Sequence, residues 1–483
     1  MDDTLCLGGR VVGGFRLASR GFLLSSAGLS NKRSVPPLVD AVEPQELSGR
    51  ELGHLSHLSH PSHPSHPSHP SHPSHPLPAG MRDLLPLEAG AQAELVEQLL
   101  RSFDLHGYLQ VELPAFEYAS VLERGLGALD AAEVLRFVEP GTGEVVVLRP
   151  DMTPQVARLV ATRLAGATPP IRIAYRGSVV RRRHQRARRH REIPQVGLEL
   201  MGLAGQAGDL EVLTAATAAL SATGLSEFTL DLGNVKITKA LLAAVDRSFW
   251  PDLIEALHLK DSASLARRAE RLGVSKLETA ALAALAELHG GAEVWPRAER
   301  VLRGTSAEPA LAELRQLAEA VERNELAASV LVDLGETWDF NYYTGSVFHL
   351  LAEGPGEPVC SGGRYDGLLQ LFGAPNSAAG CAVDVANLAW ALERAGRKHR
   401  VPRLVIAEDS ADVSLLLELR ANGVRVATAS RADLPSFAVG WSFSHQLTLD
   451  AGRAVLRDEG GIEVSCSVES NASLAKWVRS RVN

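Results

Sequence analysis

VLRFVEPGTGEVVVLRP, residues 134–150, sets two β-branched apolar runs on either side of Pro-Gly-Thr-Gly. Two such runs around a glycine-containing turn are the signature of a β-hairpin. Hairpin strands pair antiparallel, so the segment argues against a doubly wound parallel sheet, whose strands need long crossovers. Downstream, LRPDMT leads into TPQVARLVATRL, where a helix is predicted with Thr153 as N-cap and Pro154 at its first position. IRIAYRGSVVR (171–181) and EIPQVGLELMG (192–202) are two further strands. Upstream, Leu95, Val96, Leu99, Leu100 and Phe103 recur at helical spacing, and GYLQVELP (107–114) alternates as a strand ending at Pro114.

Beyond these strands, residues 235–325 are rich in Ala, Leu, Glu and Arg at helical period and are expected to form a helical insertion. A strand returns at GSVFHLL, followed by a glycine-bracketed loop, SGGRYDGLLQLFG, and a helix from about Asp384 to Ala395. After the polar linker GRKHRVP, the last 80 or so residues are expected to form a small strand–helix–strand unit from RLVIAE to VRVATA. Residues 54–76, HLSHLSHPSHPSHPSHPSHPSHP, form a three-residue repeat in which proline blocks helix and sheet alike. Residues 1–76 are therefore expected to be a disordered leader, or upstream sequence translated from an early start codon, with Met81 as the alternative beginning. The expected division is leader 1–76, core 77–234 and 326–396, insertion 235–325, and a C-terminal α/β unit 401–483.

The chain has 483 residues, 45% of them hydrophobic and 22% charged, with a net charge of −8. That composition is ordinary for a globular protein and gives no global argument for nucleic-acid binding. The four cysteines, Cys6, Cys360, Cys381 and Cys466, are scattered, which argues against a disulfide framework or a zinc site and fits a reducing cytoplasm. No apolar stretch reaches the length of a membrane span. No cofactor and no metal are expected.

Four segments carry residues able to do chemistry. In QVGLELMG, strand alternation puts Gln195, Gly197 and Glu199 on one face, and Val196, Leu198 and Leu200 on the other. An amide, a gap and a carboxylate suit a ligand lying on the backbone; an edge face open to water is the plain alternative. Arg149, Asp151 and Thr153 sit where a strand meets a helix, a common place for ligand contacts, although Asp151 also fits a charge in the first helical turn. Tyr342 and Tyr343 offer phenol hydroxyls, although strand tyrosines often serve the core. VVRRRHQRARRHRE holds seven arginines between Arg181 and Arg191, either a solvated loop or a contact for a polyanion.

Taken together, RDLLP, LRPDMT, YRGSVVR…REIPQVGLELMG, YYTG and SGGRYDGLLQLFG occur in the order used by the class II aminoacyl-tRNA synthetase core of the histidyl type. The resemblance covers roughly residues 77–395. It implies an α+β fold: an antiparallel sheet with flanking helices and a helical insertion. It also implies a histidine pocket. Asp151, Thr153 and Gln195 would hold the α-amino end, Glu199 and Tyr343 the imidazole, and Tyr365 would line the pocket.

The phosphate-binding charges of such a synthetase are not all present. Of the three arginines that the family uses, one maps to Arg181, one to Trp338 and one to Asn387. The acidic residue two positions after Arg181 is replaced by Arg183. Losing one positioned electrostatic donor typically costs about 10²–10³ in rate. LRPDMTPQVARL is also similar to the regulatory subunits of ATP phosphoribosyltransferase, relatives of the synthetase without its catalysis. That resemblance implies a non-catalytic subunit in histidine biosynthesis. It would form a homodimeric core, recruit a short catalytic subunit, respond to histidine, and work in the cytoplasm without membrane or nucleic acid. The alternatives are a divergent histidyl-tRNA synthetase and an RNA-binding synthetase paralogue.

Overall fold

In the computed structural model, residues 77–126, 134–181, 190–337, 342–374, 376–397 and 402–482 are described. The leader 1–76, most of the arginine run (182–189) and Trp338 lie outside them.

Apolar alternation builds a nine-stranded sheet. In spatial order its strands are Leu109–Val111, Ile171–Val180, Glu192–Met201, Ala378–Asp384, Cys360–Arg364, Ser346–Leu351, Thr229–Asn234, Ser329–Asp333 and His289–Gly290. The six from Ile171–Val180 to Thr229–Asn234 pair antiparallel throughout. Parallel pairings occur only toward the two ends, Leu109–Val111 with Ile171–Val180 and Thr229–Asn234 with Ser329–Asp333. The 134–150 hairpin belongs to a separate three-stranded sheet, where Arg136–Val138 and Phe116–Tyr118 flank Val145–Leu148.

The central strands of the large sheet show one apolar face to a layer of helices. Val196, Leu198 and Leu200 meet Leu95, Leu99 and Phe103 of the helix Pro86–Leu105, with Leu213 and Leu220 of Gly205–Ala222 and Leu388 of Val385–Arg394. Truncating any one of these buried leucines to alanine is expected to cost about 2–5 kcal/mol. On the opposite face, Met152 and, from the helix Thr153–Thr162, Val156 and Val160 close over Tyr175, Met201 and Tyr365. The functional residues sit between this second core and the open part of that face.

Residues 235–325 fold mainly as helices, interrupted by the two-residue strand His289–Gly290, which pairs with the edge of the large sheet. Leu257, Leu265, Leu282, Leu302 and Leu314 from these helices join the same core as the sheet. SGGR, expected in a loop, is the strand Cys360–Arg364 in the middle of the sheet.

The C-terminal unit is larger than the strand–helix–strand expected. Five strands, Val426–Ala429, Leu404–Ala407, His445–Asp450, Arg453–Asp458 and Glu463–Ser467, lie in that spatial order, with helices Val413–Ala421, Leu434–Gly440 and Asn471–Val482. The additional hairpin turns at Ala451 and Gly452, both left-handed at φ 46° and 82°. A two-residue turn with both central residues at positive φ matches the twist of its flanking strands. Among the described residues, no helix is long and apolar enough to cross a membrane.

Candidate functional site

The antiparallel register brings the site together. Tyr175 lies opposite Gly197, and Gly380 lies opposite Glu199. A Cβ at position 197 would collide with the Tyr175 ring, and a Cβ at position 380 would collide with the Glu199 carboxylate. The gap at Gly197, which sequence alternation offered to a ligand, therefore holds the Tyr175 ring. The reading of this face as an edge open to water also fails: Glu199 is 1% exposed.

Glu199 Oε1 accepts hydrogen bonds from Thr153 Oγ1 at 2.8 Å and from the Tyr175 hydroxyl at 3.0 Å. Glu199 Oε2 is buried and has no partner among the described residues. Burial pushes the carboxyl well above the ordinary range; the Thr153 bond opposes this and the nearby Asp151 charge adds to it.

Thr153 is the first helical residue rather than the N-cap, a position taken by Met152. Its hydroxyl is committed to Glu199, so the turn is held by Asp151 instead, whose Oδ1 accepts the Thr153 N–H at 3.0 Å. Arg149 is spent on backbone carbonyls and does not line the cleft described below. It is buried and donates to the carbonyls of Leu113, Pro114 and Ser178.

Three tyrosine rings form the wall. Tyr342 and Tyr343 meet edge to face at 5.2 Å between centroids, and Tyr342 and Tyr365 lie at 5.1 Å. The Tyr342 and Tyr365 hydroxyls are buried without a partner among the described residues. Burial, with the Asp151 and Glu199 charges, pushes the Tyr342 phenol well up, so it stays protonated. The Tyr343 carbonyl accepts from Lys239 Nζ.

These walls enclose a cleft of about 140 Å³. Asp151, Thr153, Gln195, Tyr343, Tyr365 and Arg181 all line it, and Glu199 sits just behind. At its far end Asn387 donates from Nδ2 to the Pro358 carbonyl at 2.8 Å, and Asp384 caps the helix Val385–Arg394 by accepting the Asn387 N–H. Arg181 also lines the cleft, and its Nε donates to the Pro150 carbonyl at 3.1 Å. Trp338 and Arg183 fall outside the described residues. Sequence reasoning missed Tyr175 and Ser361. The signal for Tyr175 was its alternation in IRIAYRG combined with a hairpin register that puts Gly197 opposite.

A family profile described as "Histidyl-tRNA synthetase" matches residues 80–388. An ATP phosphoribosyltransferase regulatory subunit of Moorella thermoacetica is 38% identical over 358 residues, 72% of this chain and 91% of the relative. Another, from Anaeromyxobacter sp. (strain Fw109-5), is 42% identical over 332 residues, covering 68% and 95%. The chain belongs to the family of ATP phosphoribosyltransferase regulatory subunits. A solved structure from Bacillus halodurans, titled as an ATP phosphoribosyltransferase regulatory subunit/histidyl-tRNA synthetase, is 30% identical. It covers 76% of this chain and 96% of its own, with a TM-score of 0.66. The histidyl-tRNA synthetase of Nostoc sp. PCC 7120, 20% identical with a TM-score of 0.68 over 84% of this chain and 99% of its own, shares the fold. The regulatory-subunit family thus uses the class II synthetase fold: a mixed sheet, antiparallel at its centre, with flanking helices.

Proposed function

We propose that this chain is the histidine-sensing, non-synthetase partner of a separate catalytic ATP phosphoribosyltransferase subunit, acting at the first step of histidine biosynthesis. The observation that carries the reading is the trio of buried polar atoms around one space: Glu199 Oε2 and the Tyr342 and Tyr365 hydroxyls. Buried polar groups are nearly always satisfied, so a ligand or water completes them. An imidazole, with one N–H and one lone pair, matches a carboxyl facing a phenol. Asp151, Thr153 and Gln195 would take the α-amino end, with Tyr343 beside the ring.

Loss of synthetase chemistry is supported by Asn387, which stands where related synthetases place an arginine and spends its amide on a backbone carbonyl. The divergent-synthetase alternative draws on Arg181, which keeps one cation at the cleft. A homodimeric core is supported by exposed Phe116, Tyr118 and Phe137, which share one face of the three-stranded sheet. Contiguous exposed apolar surface of this kind marks association sites. Light scattering at micromolar concentration tests the dimer, and a monomer would remove that part.

The deciding experiment reconstitutes the chain with a short catalytic subunit. Transferase activity that requires this chain and falls with added histidine is the expected result. Full activity of the catalytic subunit alone would overturn the reading.

A further inference from the structure

A second group of buried ionisable residues adjoins the cleft and has no role in the histidine contacts described above. His349, 6% exposed, sits at the centre of the sheet with Ser361 opposite on one neighbouring strand and Asp231 on the other. Its Nδ1 is 3.0 Å from Ser361 Oγ, and its Nε2 is 3.7 Å from Glu336 Oε2. Ser361 lines the cleft, so the chain of contacts runs from the cleft floor to Glu336.

Among the described residues, the charged groups facing His349 are Glu336 beyond the strand Ser329–Asp333 and Asp231 on Thr229–Asn234. Behind Asp231 stands Asp333, which is paired with Lys260 Nζ. A serine hydroxyl can accept one hydrogen bond and donate another. With Nδ1–H as the donor to Ser361 Oγ, the serine keeps its own hydrogen for the cleft.

Ser361 lies two strands from Glu199 and two residues further along the floor, a backbone span of roughly 12 Å at ordinary strand spacing. A ligand with its imidazole at Glu199 directs its other end toward Ser361. We propose that Ser361, held in place by its hydrogen bond with His349, is the donor that receives the carboxylate of the cleft's amino-acid ligand. The assignment rests on the histidine reading of the cleft, and it names the specificity element for the acid group. Its O–H takes the place of an arginine that the sequence does not carry at Trp338.

The test is calorimetric titration of the full-length chain with L-histidine and with L-histidinol, which keeps the imidazole and amine but lacks the carboxylate. Wild type, Ser361→Ala, Ser361→Thr and His349→Gln are compared at pH 7, with melting curves confirming that each folds. Wild type is expected to prefer histidine by about tenfold, the order expected for a hydrogen bond to a charged group. The preference should vanish in Ser361→Ala, return in Ser361→Thr and fall in His349→Gln. The Ser361 variants keep the test decisive if His349→Gln does not fold. A Ser361→Ala chain that keeps the preference would overturn the assignment. Histidine binding without preference over histidinol would remove this contact alone. No binding of either ligand to wild type would remove the histidine reading itself, and this contact with it.

Discussion

The Tyr175 ring covers Gly197 from the neighbouring strand, and its hydroxyl reaches the Glu199 carboxylate two residues along. The ring can lie there because residue 197 has no side chain. Gly197→Ala should push the ring aside, strain the second core and weaken the hold on Glu199. Overpacking of this kind costs about 1–3 kcal/mol. Tyr175→Phe keeps the ring and removes only the hydroxyl, at about 1 kcal/mol. Denaturant midpoints should rank wild type above Tyr175→Phe and Tyr175→Phe above Gly197→Ala; the reverse ranking would show that the ring does not pack on residue 197.

Glu199 offers the sharpest test of ligand recognition. Glu199→Ala removes the carboxyl that faces the imidazole, a loss of about 1.5–3 kcal/mol if the bound pair is charged. Histidine affinity should drop by roughly one to two orders of magnitude. Basal transferase activity of the reconstituted complex should persist, because the catalytic partner carries the chemistry. An unchanged histidine inhibition curve would place feedback elsewhere, on the catalytic subunit or at the interface.

Histidine-dependent exchange between ATP and pyrophosphate should be undetectable in the purified chain. Such exchange needs cations held against the developing phosphate charge, and Asn387 is neutral and tied to Pro358. Exchange that survives removal of any contaminating synthetase would reinstate the synthetase alternative.

The face bearing Gln195 and Glu199 was legible because period-two alternation in QVGLELMG is local and strict. What filled that face was not legible. Tyr175 is 22 residues upstream of Gly197, and only the hairpin register puts them together. Thr153 looked like a cap by residue type, yet its hydroxyl was claimed by Glu199, a tertiary contact that local preference does not encode. SGGR looked like a loop because glycine weakens isolated strands; in the sheet its glycines admit the Tyr343 and Phe348 rings. The C-terminal hairpin escaped notice because Ala451 is an unusual residue for a left-handed turn position.

The last prediction concerns Asp231, whose carboxyl burial pushes up from 3.8 to about 6, with Asp333 and Glu336 adding and Lys260 opposing. An acid raised on folding binds its proton more tightly in the folded state. Between pH 4 and 6 the folded chain therefore holds more proton than the unfolded chain. The contribution is fully present below the unfolded value, and it is lost as pH rises through about 6. A shift of this size corresponds to roughly 2–3 kcal/mol. Asp231→Asn preserves shape and removes the titration. The variant should gain about 1–3 kcal/mol over wild type at pH 7 and show little difference from it at pH 4. Glu199 and Asp209 are also raised by burial, but both titrate in wild type and variant alike, so the difference between the two proteins isolates Asp231. Urea unfolding at half-unit steps from pH 4 to 7 measures it. Parallel stability curves for the two proteins would mean that Asp231 is solvated in solution, and the buried carboxylate pair facing His349 would reduce to Glu336.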